Sequence, residues 1–325
     1  MSSKITCILK KSDAAFGAIL QIEVLAYLLS LYYKKIFLRG KIFFFDKIFT
    51  PKKEVKKFDN LFKFFGKKLT RTNKIKNISN YNDLESINGE FTYNISYKTS
   101  QHFIKNLTIE DNKEIFLKFR KRFWLFNKKI KNKKKTIVIH IRNYINNHDN
   151  NYGSESIQYQ YFNHDYKLPT YNKKFFTLWF VSMVQKIVKT ERLKKNKFKI
   201  ILCSAGIKND FSEIEYKLKK IGKLQLFINK SSFSTFKIMI NADYLILSQS
   251  AFSYLASLIN DGKKYIRNGY RSYLPFDVKI IKDYQIINMS YARYLFNFLL
   301  YIIFRIKLKI YRIVKIKHIN LFNFF

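Results

Sequence analysis

Two short segments of the chain carry polar side chains where a predicted strand ends. The first is His140-Ile141-Arg142, at the end of the apolar run TIVIHIR, and the second is Ser248-Gln249-Ser250, which follows the run YLIL. Residues two apart in a strand point to the same side, so His140 and Arg142 are expected to face together. A guanidinium that leaves water needs an anionic partner, and its planar shape suits a diphosphate. An exposed arginine at a strand end is the alternative for Arg142.

The serine-rich turn suits an anion for a different reason. Ser248 and Ser250 directly precede the helical pattern Ala251–Ile259. The first turn of a helix presents unpaired N–H groups and the positive end of the helix dipole. Serine is also a preferred N-cap residue, so the turn can equally serve to begin the helix. The two roles are compatible with each other.

Both segments lie in a half of the chain where strands and helices alternate. Continuous apolar strands separated by helices are typical of a parallel sheet that is covered on both faces. Ligands of such sheets bind beyond the carboxyl ends of the strands. The predicted strands are Thr136–Ile141, Lys199–Cys203, Leu224–Ile228, Tyr244–Leu247 and Lys264–Ile266, and the predicted helices are Lys173–Thr190, Phe211–Ile221, Ser232–Asn241 and Ala251–Ile259.

The first half of the chain predicts a second unit of the same kind. A strand at Ile5–Leu9, a helix at Gly17–Tyr32 and a strand at Lys35–Leu38 form a βαβ pattern. Short elements and loops are expected over Thr50–Asn94, before a helix with a basic outer face at Asn112–Phe126. The charge run Lys128–Lys135 is expected to link two α/β domains, residues 1–130 and 131–285, with a cleft between them.

Two apolar segments are candidates for membrane contact. Residues 14–33 are long enough to span a bilayer, but they contain Gln21 and Glu23 and follow a predicted strand, which favours a crossover helix. Residues 294–317 begin with an apolar run and continue with cations at helical spacing. That pattern predicts a basic amphipathic helix on an anionic membrane surface, within a tail of residues 286–325. A terminal helix packed on the N-terminal domain is the alternative. We expect a cytoplasmic protein, peripheral on the membrane if this tail binds lipid.

The composition is strongly basic, with 62 Lys+Arg against 22 Asp+Glu and a formal net charge of +40. Lys, Asn, Ile, Phe and Tyr are abundant along the whole chain, which favours a compositional bias over one selected basic patch. The aromatic residues fall mostly in apolar runs, and no nucleic-acid-binding motif is present, so no specific nucleic acid is expected as a partner. Cys7 and Cys203 also lie in apolar runs and are expected to be core residues, and no metal site is predicted.

The three strand ends together resemble a known family. The segments IHIR, ILCSAG and ILSQSAFSYLASL are similar to elements of the fucosyltransferase-like glycosyltransferases, which include α-1,2-, α-1,6- and protein O-fucosyltransferases. Members carry a His-x-Arg element after a strand and a late Ser-x-Ser-x-Phe-Ser turn that opens a helix. The segments Tyr97–Asn106 and Ala15–Gln21 resemble upstream elements of the family. The resemblance implies a GT-B-like α/β fold, with two Rossmann-type parallel-sheet domains facing a cleft and a basic apolar C-terminal helix.

The resemblance also implies an activity. A divergent member would transfer fucose or another sugar from a GDP-sugar to a glycan or lipid-linked glycan acceptor, with inversion and without a metal ion or cofactor. The family's acidic pair after the second strand is replaced here by Ala205 and Gly206, so a nucleotide sugar other than GDP-fucose stays open. The alternative function is a nucleic-acid-binding protein, or a non-catalytic membrane-associated protein with a decayed sugar-nucleotide site.

Residue roles follow from the same resemblance. Arg142 would be the catalytic group, since it would neutralise the diphosphate as the leaving group forms. The binding residues would be His140, Arg142, Ser204, Ser248, Ser250, Ala251, Phe252 and Gly17. No catalytic base is evident, and Asp13, Asp149 and Asp243 are candidates by position alone, with a cap or turn role as the alternative for each.

Overall fold

The computed structural model describes residues 4–6, 16–39, 52–66, 75–86, 92–130, 132–141, 170–205, 208–248, 250–267 and 274–281. The predictions for Cys7, Asp13, Arg142, Asp149 and the tail 286–325 lie outside these residues. The chain divides into two compact units, residues 1–280 and 281–325. Both sheets described below belong to the first unit, apart from the final residue of the last strand. The proposed boundary between domains near residue 130 stays a prediction.

The first sheet has four strands in the order β2-β1-β4-β3, and every described pairing in it is parallel. Residues 50–94, for which short elements and loops are expected, contain a ten-residue helix and one four-residue strand, and a second four-residue strand begins at residue 92. These strands escaped the sequence analysis because each has four residues and contains an asparagine, which leaves too few residues for a clear alternation. The elements are β1 (Lys4–Thr6), α1 (Phe16–Tyr32), β2 (Ile36–Leu38), α2 (Lys52–Leu61), β3 (Ile75–Ile78), β4 (Thr92–Ile95), α3 (Tyr97–Asn106) and α4 (Ile109–Phe126).

Helix α1 is the crossover between β1 and β2, as the βαβ pattern predicts. Most of its side chains from Leu20 onward are buried, including Glu23. The carboxylate of Glu23 accepts hydrogen bonds from Arg39, at 2.7 Å from Nε and 3.1 Å from Nη2. The one acidic residue of this apolar helix therefore has an internal ionic partner. No helix within the described ranges combines the length and apolarity that a membrane crossing requires.

The second sheet has six strands in the order β10-β9-β8-β5-β6-β7. Every strand and helix predicted for this half is present, with ends shifted by a few residues, and β10 is an addition. The elements are β5 (Lys135–His140), α5 (Thr170–Thr190), β6 (Phe198–Ser204), α6 (Ser212–Ile221), β7 (Lys223–Ile228), α7 (Ser232–Ile240), β8 (Tyr244–Leu247), α8 (Ala251–Ile259), β9 (Lys263–Arg267) and β10 (Val278–Ile281).

The strand order places a reversal at the centre of this sheet. Counted from β5, the order is the 3-2-1-4-5-6 arrangement of dinucleotide-binding folds. The chain moves from β5 to β6 and β7 on one side, then returns to β8 on the other side of β5. Strands β5, β6, β8 and β9 pair in parallel, so their carboxyl ends share one edge. The predicted α/β architecture with two parallel, Rossmann-type sheets is confirmed.

One continuous apolar core joins the layers of the two sheets. Helix α8 contacts both α1 and α4, and seven of its nine residues, Ser253 to Ile259, are buried. The turn after it depends on Gly262, because a Cβ there would lie 2.3 Å from the backbone oxygen of Ala242. Helix α8 therefore packs against α1 and α4, and its first turn lies at the carboxyl edge of the second sheet.

Candidate functional site

A cluster of three polar side chains occupies the reversal point between β5 and β8. His140 ends β5, Ser248 follows β8 directly, and Ser253 lies in the first turn of α8. The Nδ1 atom of His140 is 2.8 Å from the Ser248 hydroxyl and 2.5 Å from the Ser253 hydroxyl, and the two hydroxyls are 3.0 Å apart. All three residues are buried, with Ser253 fully so. The cluster ties the end of the central strand to the helix that begins beside it.

The geometry of the cluster fixes the imidazole of His140. A ring nitrogen carries either one proton or one lone pair, so Nδ1 forms a hydrogen bond with one of the two serine hydroxyls at a time. The other serine hydroxyl then forms its hydrogen bond with the first. The ring of His140 also lies 5.9 Å from that of Phe252, which is 5.6 Å from Phe236. Its orientation is therefore set by hydrogen bonds on one nitrogen and aromatic packing on one side.

The serine turn caps α8 in the manner that the capping alternative predicts. Ser250 is the N-cap, and its Oγ accepts a hydrogen bond from the N–H of Phe252 at 3.3 Å. The N–H of Ser250 donates to the carbonyl of Ser248 at 2.8 Å. An anion that bound the N–H of Phe252 would have to replace the hydroxyl of Ser250. Capping and anion binding at this turn therefore share one donor.

Ser204 lies at the end of β6, beside the end of β5. Its hydroxyl donates to the carbonyl of Ile141 at 2.7 Å, and the N–H of Ile141 donates to the carbonyl of Cys203 at 2.9 Å. These bonds extend the pairing of β5 and β6 one residue beyond His140. Ser204 thus anchors the backbone immediately before Arg142, and its contact with a base or ribose stays a prediction.

The structure brings most of the described candidate residues to one edge of one sheet. His140, Ser248 and Ser250 are joined by hydrogen bonds, with Ala251 and Phe252 in the adjoining helical turn. Gly17 lies in the first turn of α1, which connects strands of the other sheet. No described hydrogen bond or ring contact links Gly17 to the cluster, and its proposed role stays a prediction.

Ser253 is a member of the cluster that the sequence analysis did not select. The signal for it is the third serine of the run Ser248-Gln249-Ser250-Ala251-Phe252-Ser253, three residues after the N-cap. Spacing alone places this residue one turn into the helix. It does not show that the side chain turns back to the end of β5, because that contact joins residues 113 positions apart.

Asp243 lies away from the cluster, at the start of β8 rather than at its end. Its carboxylate accepts hydrogen bonds from the Thr136 N–H at 2.9 Å and the Lys135 ammonium at 2.9 Å. Burial alone would raise the pKa of Asp243, but these hydrogen bonds hold it below its ordinary value. The turn role is therefore the one that the structure supports, since the residue sits at the opposite edge of the sheet from His140.

Cys203 is a core residue, as predicted. It is fully buried on β6, and burial raises the pKa of its thiol to about 12. A thiol in this state is a poor nucleophile and a poor metal ligand. Within the ranges that the structure describes, no three His, Cys, Asp or Glu side chains group together as a metal ion would require.

The far end of α8 is held by side chains from α4. Arg120 donates from Nε to the carbonyl of Leu258 at 2.8 Å, and Trp124 donates to the carbonyl of Ile259 at 3.3 Å. Arg120 also forms a two-pronged ion pair with Asp277, at 2.5 and 2.9 Å. A cation at this end complements the helix dipole and satisfies the last carbonyls. The helix that carries the serine turn is therefore fixed at both ends.

Substitution of Ser253 tests whether the cluster supports the fold. Ser253→Ala is expected to lower the free energy of unfolding by about 1 kcal/mol, because a buried hydrogen bond to His140 is lost. Ser257→Ala is the matched control, since Ser257 is equally buried on α8 but its hydroxyl, among the described contacts, donates only to the Tyr254 carbonyl of its own helix. Urea unfolding of both variants measures the difference. Equal losses would show that the contact with His140 contributes nothing specific.

Comparisons with known proteins give a similarity in architecture. No protein-family model matches the sequence, and the curated proteins contain no match to it. Among solved structures, POFUT1 in complex with GDP matches at 9% identity and a TM-score of 0.39, over 86% of this chain and 98% of that chain. POFUT1 in complex with GDP-fucose matches at 9% identity and a TM-score of 0.39, over 86% of this chain and 97% of that chain. E. coli heptosyltransferase WaaC with ADP matches at 9% identity and a TM-score of 0.42, over 91% of this chain and 98% of that chain. TM-scores below 0.5 at such identities do not assign a function to the chain.

Proposed function

We propose that the chain is a glycosyltransferase that takes its sugar from a nucleotide sugar, with GDP-fucose as the first donor to test. The observation that carries the proposal is the cluster of His140, Ser248 and Ser253 at the reversal point of the six-stranded sheet. Nucleotides bind to open α/β sheets beyond the carboxyl ends of the strands at such a point. The cluster joins the end of β5 to the end of β8 and the first turn of α8 at this edge.

The diphosphate is the part of the donor that this edge suits best. The first turn of α8 follows Ser250 and presents the positive end of the helix dipole. Arg142 follows His140 by two positions, and a guanidinium there would neutralise the charge that develops on the leaving diphosphate. With these two sources of positive potential, the proposed transfer uses neither a metal ion nor a cofactor.

The remaining parts of the proposal rest on the family resemblance and, for membrane contact, on the apolar and basic pattern of the tail. Transfer proceeds with inversion to a glycan or lipid-linked glycan, and residues 1–130 form the acceptor side of the cleft. Residues 294–317 hold the protein on an anionic membrane surface at the cytoplasmic side. Fucose is the expected sugar, and another sugar on a nucleotide is the alternative.

The first experiment compares the melting temperature with GDP, UDP, CDP and ADP in parallel. Moderately high salt is needed because a chain with a formal net charge of +40 attracts any polyanion. A ligand at 100 times its Kd stabilises the native state by about 2.7 kcal/mol, which a melt detects. Stabilisation by GDP alone supports a GDP-sugar donor. Equal stabilisation by all four indicates unspecific anion binding, and no stabilisation by any of them contradicts the proposal.

Arg142→Ala tests the role of the arginine. We expect GDP affinity to fall by roughly 100-fold, because hydrogen bonds to a charged group contribute about 1.5–3 kcal/mol each. The melting temperature without nucleotide should stay unchanged. Lys217→Ala is the control for loss of charge, since Lys217 pairs only with Glu213 on the surface of α6 among the described contacts. An unchanged Kd in folded Arg142→Ala would remove this residue from the site.

A further inference from the structure

The solvent face of α4 combines apolar and basic side chains in an ordered pattern. Leu117, Lys121 and Leu125 follow one another at intervals of four residues, so they lie along one side of the helix. Leu117 is 46% exposed and Leu125 is 79% exposed. Both leucines stand away from the core, which the same helix reaches through Phe119 and Phe123 on its other side. These two large apolar side chains are therefore exposed to solvent rather than packed in the core.

The pattern continues beyond the end of the helix. Phe126 is 63% exposed and Ile130 is 47% exposed, although the ring of Phe126 stacks on Phe64 at 6.1 Å. Among the described residues of the same stretch, the exposed cations are Lys118, Lys121, Arg122, Lys128, Lys129, Lys133 and Lys134. We refer to the exposed residues of 117–130 and 132–134 as the α4 face. It has a strong excess of positive charge over acidic residues.

A shallow cavity extends the α4 face at its end. It has a volume of about 430 Å³ and is lined by Lys128, Lys129, Ile130 and Lys237. Lys129 pairs with the carboxylate of Asp261 at 2.9 Å, whereas Lys128 and Lys237, beside one apolar side chain, suit a group that carries a phosphate next to hydrocarbon. The headgroup region of an anionic lipid has this chemistry.

We propose that the α4 face binds the surface of an anionic lipid bilayer. Exposed leucine, isoleucine and phenylalanine enter the boundary between headgroups and acyl chains, while lysine and arginine attract the negative surface. A single-stranded nucleic acid would also meet the cations, but it stacks its bases on aromatic rings and gains little from leucine or isoleucine. Charge and apolar exposure together therefore favour lipid. The surface lies entirely within the described residues and is distinct from residues 294–317.

The test is co-sedimentation of the full chain with vesicles of phosphatidylcholine containing phosphatidylserine. Leu117→Gln/Leu125→Gln and Lys121→Gln/Lys128→Gln each alter one half of the pattern at exposed positions, so their melting temperatures should equal that of the parent protein. We expect the lysine pair to weaken binding by at least tenfold, since one surface cation contributes roughly fivefold. The leucine pair should also weaken binding at least tenfold, because two apolar side chains no longer enter the boundary between headgroups and acyl chains. Vesicles of phosphatidylcholine alone should bind weakly.

A matched control uses another exposed basic surface on the same protein. Tyr216 is 62% exposed on α6, and the ammonium of Lys220 lies 4.1 Å from the centre of its ring. Tyr216→Gln/Lys220→Gln is expected to bind vesicles like the parent protein. Loss of binding in the lysine pair with no loss in the leucine pair would mean general charge attraction and overturn the proposal. If neither pair weakens binding, the lipid contact lies elsewhere on the protein, and this result would also overturn the proposal.

Discussion

Arg120→Ala is expected to lower the free energy of unfolding by about 3–5 kcal/mol, the cost of removing one partner of a buried ion pair. The guanidinium of Arg120 is almost fully buried and contacts the carboxylate of Asp277 through two nitrogens. It also donates to the carbonyls of Leu258 and Ser257, at 2.8 and 3.3 Å. The substitution removes this donor from both carbonyls, leaves Lys264 as the described cationic partner of Asp277, and opens a cavity between α4 and α8.

Unfolding in urea measures this loss, and a second variant separates its sources. Asp277→Ala removes the carboxylate. The double variant Arg120→Ala/Asp277→Ala shows how much of the lost free energy of unfolding belongs to the ion pair itself. Lys217→Ala breaks a surface pair on α6 and is expected to cost no more than about 1 kcal/mol. If Arg120→Ala costs as little as Lys217→Ala, the contact between α4 and α8 does not stabilise the fold in the way described.

The stability of the protein is expected to rise between pH 8 and pH 10.5 because of Lys264. Its side chain is fully buried, and its ammonium lies 2.6 Å from both the Asn260 carbonyl and the Asp277 carboxylate. Burial, together with the charge of Arg120, lowers the pKa of Lys264 from 10.5 to about 8. One carboxylate shared between two cations leaves the cluster with a net positive charge, which disfavours the protonated lysine.

The direction of the effect follows from proton binding. Between pH 8 and pH 10.5 the unfolded chain keeps the proton of Lys264 while the native protein has lost it, so the free energy of unfolding increases with pH. Below pH 8 both states are protonated and the full cost of the buried charge is present. Relative to Lys264→Met, the native protein should gain on the order of 3 kcal/mol across this range.

Chemical unfolding of both proteins at several pH values between 7 and 10.5 tests the prediction. Tyr244 and Tyr265, whose pKa values burial raises to about 12, are present in both proteins, so their contributions cancel. A difference in stability between the two proteins that does not change with pH would contradict a lowered pKa for Lys264.

The alternation of apolar strands and helices was sufficient to predict the second sheet. Strand β8 and helix α8 have the bounds that the pattern predicts, because long apolar runs bounded by polar turns allow few alternatives. The pattern could not supply β3 or β4, each of which has four residues that include an asparagine. Strand β4 takes its place in the sheet by pairing with β1, and β3 by pairing with β4. Whether a short segment forms a strand depends on pairing partners that lie far away in sequence.

The order and length of the apolar runs were sufficient to predict the fold class and the residues at the strand ends. His140, Ser204 and Ser248 could be chosen because parallel strands bring their carboxyl ends to one edge. The pairing of β8 with β5, which brings Ser248 and Ser253 to the ring of His140, could not be predicted from local patterns and is seen in the folded structure. The folded structure also shows that Arg120 reaches across 138 positions to the end of α8. Local spacing limits the orientation of a side chain within its own element, whereas strand order and helix packing decide which distant group it meets.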